Sequence, residues 1–146
     1  MATSLLMVNG PNLNLLGTRE PEVYGSTTWE QLVKSLEAAA TSTETISVRQ
    51  TNDESELIGW IHEALDLQAE VILNPAAFTH YSYALRDAVA MFTGAQLPLI
   101  EVHISNPHAR EEFRHNSVIS GVATGVIAGF GVESYHLALA ALRSRR

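Results

Sequence analysis

The chain reads as an α/β protein of the flavodoxin-like class: a five-stranded parallel sheet, order 2-1-3-4-5, with helices on both faces. Three observations predict it. Short apolar runs alternate five times with stretches of helical periodicity, the pattern of strands buried on both faces and joined by crossover helices. The length, 146 residues, suits a single domain over 1–146 with one core. Apolar residues make up 46% of the chain, enough for a packed interior. In such a sheet ligands bind beyond the carboxyl ends of the strands.

The elements follow in order. Leu5, Leu6, Met7 and Val8 are a continuous apolar run and predict the first strand. Residues 8–25 (VNGPNLNLLGTREPEVYG) then lack a regular period, and a connection this long in a small domain is usually functional or disordered. A surface lid with no chemical part is the plain alternative. Thr27 with Glu30 predicts a capping box, and Trp29, Leu32, Val33, Leu36 and Ala40 recur at helical spacing. Residues 45–48 alternate and predict a second strand, nearer an edge. Asp53 with Glu56 opens a helix whose stripe is Leu57, Ile58, Ile61, Ala64 and Leu65. Residues 71–73 predict a third strand, ended by Asn74-Pro75. Thr79 is expected to cap the next helix, with Ala84, Leu85, Ala88, Val89 and Phe92 inward. Residues 97–102 predict a fourth strand ending in His103, residues 109–115 a short helix, residues 122–128 a fifth strand, and residues 132–142 a closing helix. Arg143, Arg145 and Arg146 are expected to lie on its frayed end.

Composition excludes several classes. A formal charge of −7 argues against a nucleic-acid surface, which needs basic side chains to displace counterions. Cysteine is absent, so disulfides, thiolate catalysis and cysteine-based zinc sites are excluded. His103 and His108, five apart, fit neither helical nor strand spacing for a metal, and no metal or cofactor is expected. No run is long enough to cross a membrane, and no leader pattern opens the chain; a cytoplasmic protein is expected. The only lysine, Lys34, lies on the polar side of a predicted helix and is ill placed for a Schiff base. No phosphate loop or nucleophile elbow occurs. The run from Gly129 to Ser134 is a near miss for a dinucleotide fingerprint, and its glycines are better read as letting a helix pack close to the sheet.

The fold then brings unusual side chains together. Asn9 and the long loop with Arg19 and Tyr24 follow the first strand. Asn74 follows the third, and His103, Ser105 and Asn106 follow the fourth. Arg110 and Arg114, four apart, share a face of the predicted helix, although pairing with Glu111 or Glu112 would also explain them. A lone histidine at a strand end is often structural; this one stands beside Ser105 and Asn106. Arginines in an acidic protein point to a small anionic substrate. A tyrosine among arginines points to a phenolate base. A free phenol titrates near ~10. A cation about 4 Å away contributes roughly 4 kcal/mol at an effective dielectric of about 20, against which burial works. The balance is expected to favour proton abstraction.

At this point the chain resembles the type II 3-dehydroquinate dehydratases. The resemblance rests on residues 9–14 (NGPNLN), Arg19-Glu20-Pro21, Tyr24-Gly25 and residues 101–106 (EVHISN). It continues through His108-Ala109-Arg110-Glu111, Phe113-Arg114, Asn74-Pro75, Thr79-His80 and Leu85-Arg86-Asp87. It implies the flavodoxin-like fold and cofactor-free dehydration of 3-dehydroquinate to 3-dehydroshikimate, in a dodecamer built as a tetramer of trimers. It also implies residue roles. Tyr24 would be the base, made more acidic by Arg19 and Arg110, and Asn12 would help hold a water against the enolate. His103 would protonate the departing hydroxyl. Ile104 and Ser105 would hold the carboxylate, and Asn74, His80 and Arg114 the ring hydroxyls. Asp87, seven residues after His80 and on the same helical face, would reach a neighbouring subunit's site. Two other readings remain at this stage. One is a flavodoxin-like module binding a nucleotide or flavin; the other is an inactive scaffold that assembles through its helices.

Overall fold

The computed structural model describes residues 2–18 and 20–146; Arg19 lies outside the described residues. The elements run β1 (Thr3–Asn9), α1 (Pro21–Tyr24), α2 (Trp29–Ala38), β2 (Glu44–Gln50), α3 (Glu54–Leu67) and β3 (Glu70–Asn74). They continue with α4 (Tyr83–Gly94), β4 (Leu99–His103), β5 (Gly125–Ala128) and α5 (Glu133–Ser144). Among the described residues the strands form one parallel sheet in the order β2-β1-β3-β4-β5, as the sequence predicts.

The pleat of β1 sorts the core into two layers. Leu5 and Met7 face one side, with Leu32 and Leu36 of α2 and Ala138, Leu139 and Leu142 of α5. Leu6 and Val8 face the other, with Leu57 and Ile61 of α3 and Leu85, Val89 and Phe92 of α4. Successive strand side chains point to opposite faces, so an unbroken apolar run serves both layers at once. The connection after β1 leads to α2 and that after β3 to α4, on opposite faces. The crevice where they diverge opens above the carboxyl ends of β1 and β3.

Several local expectations shift. Thr28, one residue after the expected Thr27, caps α2. Its hydroxyl accepts from Gln31 N at 3.1 Å, and Gln31 Oε1 accepts from Thr28 N at 2.9 Å. The sequence contains two overlapping boxes, Thr27 with Glu30 and Thr28 with Gln31, and only the second forms. Thr79 caps nothing. It is buried in a 3-10 turn, Ala76–His80, while Ser82 caps α4 through Leu85 N at 3.0 Å and also hydrogen-bonds Glu54. His80 therefore precedes α4, and the expected helical face shared with Asp87 does not exist. The helix expected over 109–115 is two 3-10 turns, Pro107–Ala109 and Glu112–His115, separated by an extended Arg110 at φ −117°. Strand β5 begins at Gly125 rather than at 122. The terminal arginines are not frayed: Arg143 and Arg146 clamp the buried carboxylate of Glu44. The expected edge position of β2 and the cap at Asp53 are both found, Asp53 accepting from Ser55 N at 2.9 Å.

Gly10 marks the closest approach at the crevice. Its N–H donates to the Asn74 carbonyl at 2.8 Å, and a Cβ built on it would stand 2.6 Å from the Pro75 carbonyl oxygen. Backbone cannot step aside as a flexible side chain can. Gly10→Ala is therefore expected to destabilise the chain by about 1–3 kcal/mol. The check is the urea midpoint, which should fall; an unchanged midpoint would show that the two loops separate freely.

Candidate active site

The carboxyl end of β4 places His103 at the crevice, 9% exposed. Two residues earlier on the same strand, hence on the same face, Glu101 is 1% exposed. Its Oε2 lies 2.5 Å from His103 Nε2. Ser120 Oγ donates to Glu101 Oε1 at 2.7 Å, and Ser117 Oγ donates to the same carboxylate at 3.2 Å. A buried carboxylate with three such partners is fully engaged. It fixes the imidazole and sits ready to balance a positive charge there. The serines come from the stretch between the expected short helix and the expected fifth strand; its irregular path is what brings them to Glu101.

Arg110 follows β4 from the other side. Its Nη1 donates to Ser105 Oγ at 3.2 Å, and its guanidinium carbon lies 5.1 Å from the centre of the Tyr24 ring. Tyr24 ends α1, a single helical turn inside the long loop, and Leu13 and Leu16 anchor that loop in the core at 4% and 5% exposure. Glu20 also approaches Arg110, at 4.0 Å. Arg114 donates to Glu111 Oε1 at 3.2 Å, and this pairing holds the Glu111 carboxyl below the usual carboxylate range. The alternative explanation for Arg114 is thus partly true: it has an acidic surface partner and still lines the cleft. His80 Nδ1 lies 2.7 Å from the Asn116 carbonyl. A carbonyl accepts only, so that nitrogen carries the hydrogen and Nε2 of a neutral ring is left as an acceptor.

One cleft is lined by Asn12, Tyr24, His80, His103, Ser105, Arg110 and Arg114, along with Pro11, Ala76, Ala77 and Pro107. A wider cleft of about 540 Å³ adjoins it across Tyr24, Ser105 and Arg110, and reaches Ile104 and the turn at Gly129–Gly131. The chemistry-bearing side chains converge in the smaller cleft; the larger holds Tyr24 and Arg110 at its edge. Gly129, at φ 94°, turns there against Asn106, where an added Cβ would stand only 3.3 Å from the Asn106 Cβ. Gly129 and Gly131 both have positive φ and serve a tight turn, rather than the close helix–sheet packing expected of them.

Two of the described expected site residues line neither cleft. Asn74 is 3% exposed and lies beneath the cleft, its amide bonded to Tyr135 and to Ala76 N. Asp87 is 76% exposed on the outer face of α4 and pairs with Arg86 at 3.1 Å. Arg19 is outside the described residues. Lys34 is exposed on α2 and is absent from the cleft lining.

The family model for class II dehydroquinase matches residues 3–143. The chain belongs to the class II dehydroquinase family. It is 56% identical to the 3-dehydroquinate dehydratase of Salinispora tropica over 140 residues, 95% of this chain and 96% of that one. The fold agrees with the type II dehydroquinase structure from Propionibacterium acnes at a TM-score of 0.93 and 47% identity, covering 99% of this chain and 98% of that. The corresponding structure from Butyrivibrio crossotus gives 0.92 and 42%, over 97% and 98%. The cleft at the carboxyl ends of β1, β3 and β4 is the candidate site of this family member. Two of its buried residues escaped the sequence reading. Glu101 carried a signal, an acid two positions before a histidine inside an apolar strand. Tyr135, within the apolar stripe of α5, carried none.

Proposed function

We propose that this class II dehydroquinase converts 3-dehydroquinate to 3-dehydroshikimate through an enolate, with Tyr24 as base and His103 as general acid. The observation that carries the reading is the cleft itself: a phenol against a guanidinium faces an imidazole held by a buried carboxylate. Tyr24, as phenolate, takes the hydrogen from the carbon beside the ketone. The electron pair moves to the ketone oxygen. Arg110, stacked against the ring, supplies the positive charge that favours the phenolate; Arg19 is assigned the same role. Asn12 holds a water against the enolate oxygen. When the enolate collapses, the hydroxyl leaves as water with the proton from His103, and a conjugated enone remains. Solvent then returns the phenol and imidazole to their starting states. Ile104 and Ser105 hold the carboxylate, and Asn74, His80 and Arg114 the ring hydroxyls.

No amine is needed for this route, and Lys34 lies outside the cleft. Borohydride added with substrate is expected to leave activity intact; covalent reduction onto Lys34 would defeat the enolate route. The direct test of function is the growth of enone absorbance when 3-dehydroquinate is added, and its absence would defeat the assignment. Glu101→Gln keeps the volume and removes the charge. It is expected to lower kcat about tenfold or more with KM little changed, the signature of an interaction made in the transition state. An unchanged kcat would show that Glu101 serves the fold alone.

We further propose a dodecamer, a tetramer of trimers, in which Asp87 enters a neighbouring site. The support is the outer face of α4, where Tyr83, Asp87 and Met91 stand four apart and exposed. Sedimentation decides between this assembly and a monomer.

A further inference from the structure

Asn9 and Asn74 end strands β1 and β3 and are paired partners across them. Both are buried. From them the chain departs to opposite faces, so they stand at the switch point of the fold. Pro11, Asn12, Ala76, Ala77 and His80, which follow them, line the cleft.

Between the two asparagines stands the hydroxyl of Tyr135, from α5 and 0% exposed. The hydrogen bonds there admit one order. Ala76 N donates to Asn74 Oδ1 at 3.1 Å, which turns Asn74 Nδ2 toward Tyr135 at 2.9 Å. The phenol oxygen accepts that bond and gives its own hydrogen to Asn9 Oδ1 at 2.5 Å. Asn9 Nδ2 in turn donates to the Arg49 carbonyl at 3.1 Å. Burial pushes the Tyr135 phenol far above the usual tyrosine range, so the donor keeps its proton. One Nδ2 hydrogen of Asn74 goes to Tyr135, and the direction of the second is thereby set.

Stability alone does not call for this trio. Three polar side chains lose their water to make it, and apolar groups of the same shape would be nearly neutral. What the hydrogen bonds add is a defined geometry at the crevice. We infer that Tyr135 is a positioning residue: its hydroxyl ties the ends of β1 and β3 together and orients the Asn74 amide toward substrate. The inference rests on the proposed contact between Asn74 and the substrate ring.

The test is steady-state kinetics on 3-dehydroquinate for the wild type, Tyr135→Phe, Asn74→Ala and the double variant. Tyr135→Phe is expected to raise KM about tenfold and leave kcat within about threefold. The double variant should have a KM within about twofold of Asn74→Ala, because the hydroxyl acts through that amide. A purely structural role would lower the melting temperature and the active fraction, hence kcat, with KM unchanged; that result overturns the inference, as do additive losses. If Tyr135→Phe fails to fold, Asn9→Leu combined with it removes the orphaned acceptor and should show the same rise in KM. A wild-type KM in that pair, or its failure to fold, also overturns the inference. An inactive wild type defeats the functional reading, whereas an active one with an indifferent Tyr135→Phe defeats this inference alone.

Discussion

Tyr24→Phe is expected to lower kcat on 3-dehydroquinate by about a thousandfold, in the range lost when a positioned base is removed. The change deletes one oxygen. The ring keeps its place against Arg110, whose guanidinium carbon is 5.1 Å from the ring centre. The groups proposed to hold the carboxylate, Ile104 and Ser105, are unchanged by the substitution. The affinity for a substrate-like carboxylate such as quinate should therefore stay within about twofold of wild type. Loss of both together would mean that the loop has lost its fold. Normal turnover would remove Tyr24 from the chemistry.

The second large effect concerns stability. Glu44→Gln is expected to destabilise the chain by about 2–3 kcal/mol at neutral pH, less than for a wholly buried pair because both arginines remain partly exposed. The Glu44 side chain is 0% exposed and accepts from Arg143 at 2.5 and 2.9 Å, from Arg146 at 2.6 Å and from Thr41 N at 3.0 Å. Arg146 also bonds Glu70 at 2.7 Å, so the end of α5 is tied to β2 and β3. The Arg143 hydrogen bonds lead in holding the Glu44 carboxyl far below its ordinary value of 4.5, against the upward push of burial. The sign follows from linkage: a folded-state depression adds stability that is full above the unfolded value and is lost as pH falls below it. The gap between wild type and variant should thus be widest near neutrality. Urea unfolding at a series of pH values should show it closing as pH drops through about 4.5. A constant gap would mean that packing, not charge, holds the clamp.

What the sequence discloses depends on whether the signal is local. Leu5 to Val8 serves both core layers, so the run itself announces a doubly covered strand. Five predicted strands with helices between them suggest the flavodoxin-like order, which the sheet has. Tyr24, His103 and Arg110 are legible because strand ends of a parallel sheet share one edge. The cap of α2 is ambiguous because two adjacent threonines each carry a partner three residues on. The 109–115 segment misleads because periodicity cannot see the extended Arg110 that splits it. Glu44 with Arg143, and Asn9 with Tyr135, join residues about a hundred positions apart. No periodicity reports such pairs; only the packed chain does.

The account turns on a division of labour between Tyr24 and His103, and hydrogen exchange in heavy water reads it directly. His103→Ala, incubated with 3-dehydroquinate in D2O and followed by proton NMR, should lose the signal of the hydrogen beside the ketone while little enone forms. Tyr24 still makes the enolate there, and the half-buried phenol trades its proton with solvent. Tyr24→Phe should keep that signal. Exchange in Tyr24→Phe at the rate seen in His103→Ala would contradict the account, because some other group would then be removing the carbon-bound hydrogen.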